Sequence, residues 1–165
     1  MQSMVWKPDV TVAAVIERDG QFLFVDERAS GRIVINQPAG HLERGETFLE
    51  AAARETLEET GWTFVPQEVV GLYVWQPEHT ARTFLRIAFC GRLEGHDPSR
   101  PLDHGIVRTR WLDREQLLAA QARHRSPLVL RCVEDYLAGV RYPLDLISHL
   151  LPSAESRATP LVASG

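Results

Sequence analysis

Glu55, Glu58 and Glu59 stand at i, i+3 and i+4 in the segment RETLEET. If that segment is helical, their carboxylates share one surface. Like charges at that spacing cost about 0.2–0.5 kcal/mol per pair and push carboxylate pKa values up. A divalent cation among them removes the conflict. The side-chain donors are hard carboxylate oxygens, with no histidine or cysteine in the cluster, so Mg2+ is the expected ion, with Mn2+ as its substitute. Such an ion lowers the pKa of its water and neutralises charge on a leaving phosphate, which is the chemistry of phosphoanhydride hydrolysis. A solvated acidic helix face is the ordinary alternative for clustered glutamates.

The elements that position these groups are legible nearby. Thr47 followed by Glu50 has the form of a capping box, and Leu49, Ala52, Ala53 and Thr56 recur at the spacing of a buried helix face. Gly61 after Thr60 supplies a left-handed terminator. A helix is therefore expected from near Thr47 to near Thr60, entered from a loop that carries Gly40 and Glu46.

Gly40, Glu46, Arg54, Glu55, Glu58, Glu59 and Gly61 fill every fixed position of the Nudix box, GX5EX7REUXEEXGU with U an apolar residue. A chance match in a chain of this length is on the order of one in a million. The chain thus resembles the Nudix hydrolases; Thr56 departs from the usual aliphatic residue at one U position, and Trp62 is a tolerable U. The resemblance implies that Glu58 and Glu59 are the principal metal ligands and that Glu55 is a third ligand or the base that activates water. It also implies that the Ala39 carbonyl supplies a further ligand, that Gly40 lets the loop approach closely, and that Arg54 pairs with Glu46. From helix spacing alone, Glu50 and Glu58 are equally available partners of Arg54.

Segments outside the box, WKPDVTVAAVI, INQPAGHLE, RSPLV and RYPL among them, resemble a phosphatase branch of the same superfamily over about residues 5–150. That resemblance implies release of terminal orthophosphate from nucleoside tri- and diphosphates, thiamine diphosphate and hydroxymethylpyrimidine diphosphate. An ADP-ribose or other nucleoside-diphosphate-X pyrophosphatase is the rival, since Pro77 lies about fifteen residues beyond the box, where that branch carries a proline; a turn proline in QPEHT explains it equally well. Thr80 stands where dinucleoside-polyphosphate enzymes carry a tyrosine, and no coenzyme A motif precedes the box. A non-catalytic nucleotide-sensing module is the alternative of another class, and the complete carboxylate set argues against it.

A polyphosphate also needs cations. Lys7 and Arg86 are the candidate substrate-binding residues, with Arg28, Arg32 and Arg82 also available. By strand periodicity Arg86 shares a face with Arg82 and Phe84. Trp75 is a candidate ring-stacking residue, with hairpin packing as its commoner role.

The 165 residues suffice for one core, and residues 1–150 are expected to form a single domain followed by a mobile tail over 151–165. A net charge of -4 argues against a nucleic-acid binder, whose phosphate contacts favour a basic face. Small phosphorylated ligands remain compatible. No stretch approaches the roughly 20 apolar residues of a membrane span, so a cytoplasmic protein is expected, and no amphipathic heptad forces assembly, so a monomer is expected ahead of a dimer. Cys90 and Cys132 lie in apolar runs and read as buried free thiols.

Along the chain, Asp19-Gly20 joins two apolar runs as a hairpin. Strands are expected over 68–75, 81–92 and 107–112, and helices from Asp113 to about Ala122 and from Ser126-Pro127 to Gly139. Three helices around strands predict an α/β class protein, an α/β/α sandwich on a mixed central sheet, which is also the fold that the resemblance implies.

Overall fold

The computed structural model describes residues 5–152. A five-stranded mixed sheet lies at its centre: β1 (Asp9–Val15) pairs antiparallel with β5 (Ala39–His41) and parallel with β7 (Phe84–His96), and β6 (Trp62–Trp75) bridges β7 to the short β9 (Tyr142–Pro143). A second, antiparallel sheet, absent from the sequence-based expectation, forms around β3 (Gln21–Ala29). It is flanked by β2 (Glu17–Arg18), β4 (Arg32–Asn36) and β8 (Ile106–Leu112).

Alternation along the central strands shows how the layers are built. Val12, Ala14 and Ile16 pack with Ile87, Phe89, Ala51 and Ala52, which places α1 (Phe48–Thr60) on one face. Ala13 and Val15 pack with Ala88, Cys90, Val129, Cys132 and Val133, which places α3 (Leu128–Leu137) on the other. Strand side chains point alternately to opposite faces, so a sheet covered on both must be apolar at successive positions, as the run Val12–Ile16 is. This is the α/β/α sandwich on a mixed sheet. Both cysteines are free and buried.

Asp19 and Gly20 both have positive φ, 53° and 79°, the conformation of the two-residue hairpin turn that their types favour. Ser30 and Gly31 repeat it, at 49° and 76°, and create β4. Against the expected 68–75 and 81–92, β7 begins only at Phe84, while the hairpin runs further at its open end, back to Trp62 and on to His96, because irregularities at Thr63/Phe64, Pro66/Glu68 and Val69/Gly71 let the ladder pass a proline. Gly91 faces Pro66 there, and a Cβ on it would meet the Val65 carbonyl.

Helix α2 (Arg114–Ala119) is capped by Asp113 as expected but stops short of Ala122, giving way to a 3-10 turn over Gln121–Arg123. The following backbone is drawn to the edge of β4, where Arg125 N–H donates to the Ile35 carbonyl at 2.9 Å. No helix among the described residues is long and apolar enough to cross a membrane. The tail expected over 151–165 lies, from residue 153 onward, outside the described residues.

Candidate active site

Strand β5 and helix α1 build the site between them. Thr47 accepts the Glu50 N–H at 3.1 Å and Glu50 accepts the Thr47 N–H at 2.7 Å, so the capping box fixes where the helix starts. Gly61, at φ 71°, ends it. The buried face is Ala51, Ala52, Glu55, Thr56, Glu59 and Thr60. The expected face therefore needs correction: Ala52 and Thr56 are buried, Leu49 and Ala53 are only partly so, and two of the glutamates lie inside. Thr56 settles its hydroxyl by donating to the Ala52 carbonyl at 2.8 Å.

Gly40, expected on a loop, lies in strand β5 instead, and the paired register of β1 and β5, Ala13 with Ala39 and Val12 with Gly40, holds that backbone against the helix. The Ala39 N–H donates to Glu59 Oε2 at 3.0 Å. Gly40 is needed for room, since a Cβ there would collide with the Glu55 carboxyl group. Arg54 binds both strand and helix. It reaches Glu46 through Nε at 3.0 Å and Nη2 at 2.8 Å, Glu55 at 2.8 Å, Glu58 at 3.1 Å and the His41 carbonyl at 3.0 Å. The Glu46 pairing and the i,i+4 pairing with Glu58 thus coexist.

The electrostatics follow from burial. Glu59 is pushed up to about 9, first by burial; the Ala39 N–H works against that, and the charges of Glu55, Glu27 and Asp103 add to it. Burial likewise raises Glu55, opposed by its bond to Arg54. Burial acts on Glu46 too, but Arg54 and the Glu43 N–H outweigh it and hold that carboxyl below its ordinary range. Arg54 is held firmly protonated, above all by Glu46. Crowding of like charges predicts the upward direction; in the folded chain burial is the larger cause.

Among the described residues no three His, Cys, Asp or Glu side chains converge into a ready-made cage, and Arg54 itself stands between Glu55 and Glu58. Mg2+ does not require a cage, because it keeps several waters and takes one or two carboxylates plus substrate oxygens. A buried acid whose pKa is raised to about 9 is a group that a nearby cation would ionise. The donor set fits a hard divalent ion.

A cleft of about 470 Å³ opens beside β5, lined among others by Ala39, Gly40, His41, Trp75, Pro77 and Arg86, while no residue of α1 and none of the box glutamates is in its lining. Arg86 is 7% exposed, far more buried than a surface arginine, and its Nη1 donates to Gln37 Oε1 at 3.4 Å. Arg82 and Phe84 line the same cleft, but only Phe84 and Arg86 share a strand face, since β7 begins at Phe84 and Arg82 lies in the turn before it; Trp75 stacks on Phe84 with ring centroids 5.6 Å apart. Lys7 is not brought to this cleft: it is exposed, ahead of β1, and absent from the lining.

Glu27, Asn36 and Thr11 line the cleft but were not singled out from sequence. Only the alternation of β1 could have flagged Thr11, as a polar residue opening an apolar run. Nothing local marks the other two.

A NUDIX domain model matches residues 6–132. The chain is 45% identical over 144 residues to Phosphatase NudJ of Escherichia coli strain K12, covering 87% of this chain and 92% of that protein. The same identity and coverage hold for Phosphatase NudJ of Shigella flexneri. A solved NUDIX hydrolase from Nitrosomonas europaea is 50% identical with a TM-score of 0.84, covering 87% of this chain and 97% of that one. The chain belongs to the NUDIX family. It is a Nudix hydrolase, acting on phosphorus-containing acid anhydrides.

Proposed function

We propose that this hydrolase is a Mg2+-dependent phosphatase that removes terminal orthophosphate from nucleoside tri- and diphosphates, thiamine diphosphate and hydroxymethylpyrimidine diphosphate. The observation that carries the proposal is the 45% identity to Phosphatase NudJ, which spans nearly the whole of both chains rather than the box alone. In this reading residues 1–150 are one catalytic domain, acting as a monomer in the cytoplasm.

Glu58 and Glu59 would hold the ion, with Glu55 as a third ligand or the base and the Ala39 carbonyl beside them. When bound, the ion supplies an acidified water and neutralises charge on the leaving phosphate. The chain's own residues do the rest. Arg54 fixes the Gly40–Glu46 loop against the helix through Glu46 and the His41 carbonyl. The Ala39 N–H orients the Glu59 carboxylate, and Gly40 leaves space for Glu55. Arg86 contributes the buried cation of the cleft.

An ADP-ribose or other nucleoside-diphosphate-X pyrophosphatase is the second reading, supported by Pro77, which lines the cleft. A purely sensing module is tested by turnover. Mg2+-dependent phosphate release by the wild type, reduced about a hundredfold or more in Glu58→Gln, is expected for an enzyme of this design. Nucleotide binding without any turnover would establish the sensor instead.

A further inference from the structure

Among the described residues three buried side-chain polar atoms have no hydrogen-bond partner: Thr11 Oγ1, Asn36 Oδ1 and Arg86 Nε. All three residues line the same cleft, and they are only 7%, 5% and 7% exposed. Leaving a buried polar group unpaired is unfavourable, so three in one place mark a surface built to receive a polar group. Thr11 and Arg86 are register partners on β1 and β7, and Asn36 ends β4. The floor thus spans both sheets.

The hydrogen-bonding character of the three atoms defines what fits. Arg86 Nε can only donate. The Asn36 amide lies against the Glu27 carboxylate, which takes the NH2 side and leaves the oxygen as the free acceptor; Glu27 is itself held by Arg125 at 3.3 Å. The Thr11 hydroxyl serves either role. An ionised phosphate offers acceptors only, so it would satisfy Arg86 while setting an anion against Asn36 Oδ1. A nitrogen heterocycle that carries an N–H donor beside a lone-pair acceptor, such as an aminopyrimidine edge, satisfies both. The Trp75–Phe84 stack supplies an aromatic wall for such a ring.

We propose that the floor formed by Thr11, Asn36 and Arg86 reads the heterocyclic head of the substrate, not its phosphates, through an acceptor on Asn36 and a donor on Arg86. This rests on the phosphohydrolase reading, since the Ala39–His41 rim of the same cleft is left for the phosphate chain. Arg86 then sets specificity, a different task from the phosphate clamp that its charge suggests.

The test compares wild type, Asn36→Leu and Thr11→Val on cytidine diphosphate and on inorganic tripolyphosphate, which has the anhydride but no ring. The preference for cytidine diphosphate, as the ratio of kcat/KM values, should fall about tenfold or more in Asn36→Leu. A ratio unchanged while both rates fall would overturn the proposal and give the floor to phosphate. Binding of cytidine, without any phosphate, is followed in parallel by tryptophan fluorescence. If the wild type turns over neither substrate, the phosphatase reading fails, and cytidine binding that weakens in both variants still supports the ring site. Absence of cytidine binding in a folded wild type, shown by circular dichroism, rules the ring site out.

Discussion

Arg54 and Glu46, eight residues apart, are joined by two parallel hydrogen bonds of 3.0 and 2.8 Å. A bidentate pair of this kind fixes direction as well as distance. Here it ties the helix that carries Glu55, Glu58 and Glu59 to the loop that follows strand β5, the strand that carries Gly40. Arg54→Ala should therefore lower kcat by about a hundredfold and stability by about 1–3 kcal/mol. Amide hydrogen exchange across residues 41–46 should rise in the same variant, and Arg54→Lys should not restore the fork. A fully active Arg54→Ala protein would sink the idea.

Gly40→Ala separates site geometry from stability. The new methyl group meets the end of the Glu55 side chain rather than backbone, so Glu55 can swing aside and thermal stability should change by no more than about 1 kcal/mol. The concentration of Mg2+ needed for half-maximal activity should nevertheless rise several-fold. Titration of activity against Mg2+ measures it, and an unchanged midpoint would show that Glu55 does not need its present position.

The raised pKa of Glu59 makes a prediction about the metal-free protein. With a folded pKa of about 9 against an ordinary 4.5, Glu59 favours the fold when protonated. That contribution is fully present below pH 4.5 and is lost as pH rises through 9. Burial shifts Glu55 and Glu27 in the same direction. In the presence of a chelator, Tm should fall between about pH 5 and 9, and Mg2+ should recover part of the loss at the alkaline end. Glu59→Gln should flatten the dependence; an equally steep profile in that variant would assign the effect elsewhere.

Thr56 is fully buried, with its hydroxyl bonded to the Ala52 carbonyl. Because that acceptor already belongs to the helix, Thr56→Val removes a hydroxyl without orphaning a partner. Denaturant unfolding should show a change within about 1 kcal/mol. A loss of several kcal/mol would mean that the hydroxyl is needed where the family usually has an aliphatic side chain.

The box helix was readable because its signals are local: Thr47 and Glu50 cap it and Gly61 ends it. The Asp19-Gly20 turn was readable for the same reason. Strand β4 was not, because its turn places Ser30, a residue with no special liking for positive φ, at 49°. Helix α2 ends early for a tertiary reason, the capture of the 124–125 backbone by Ile35. Burial of Glu55 and Glu59 was hidden too, since periodicity assigns glutamate to the solvent side unless its partners are known. Thr11, Asn36 and Arg86 come from three strands and meet only once the sheets are assembled.

Product identity tests the central claim most directly. The protein with Mg2+ is incubated separately with GTP, hydroxymethylpyrimidine diphosphate, thiamine diphosphate and ADP-ribose, and the products are separated by chromatography. Orthophosphate with stepwise appearance of GDP and GMP is the predicted result, together with monophosphates from the two cofactor-like diphosphates. AMP and ribose phosphate from ADP-ribose, with no orthophosphate from the other three, would contradict the phosphatase assignment and place the protein among the nucleoside-diphosphate-X pyrophosphatases.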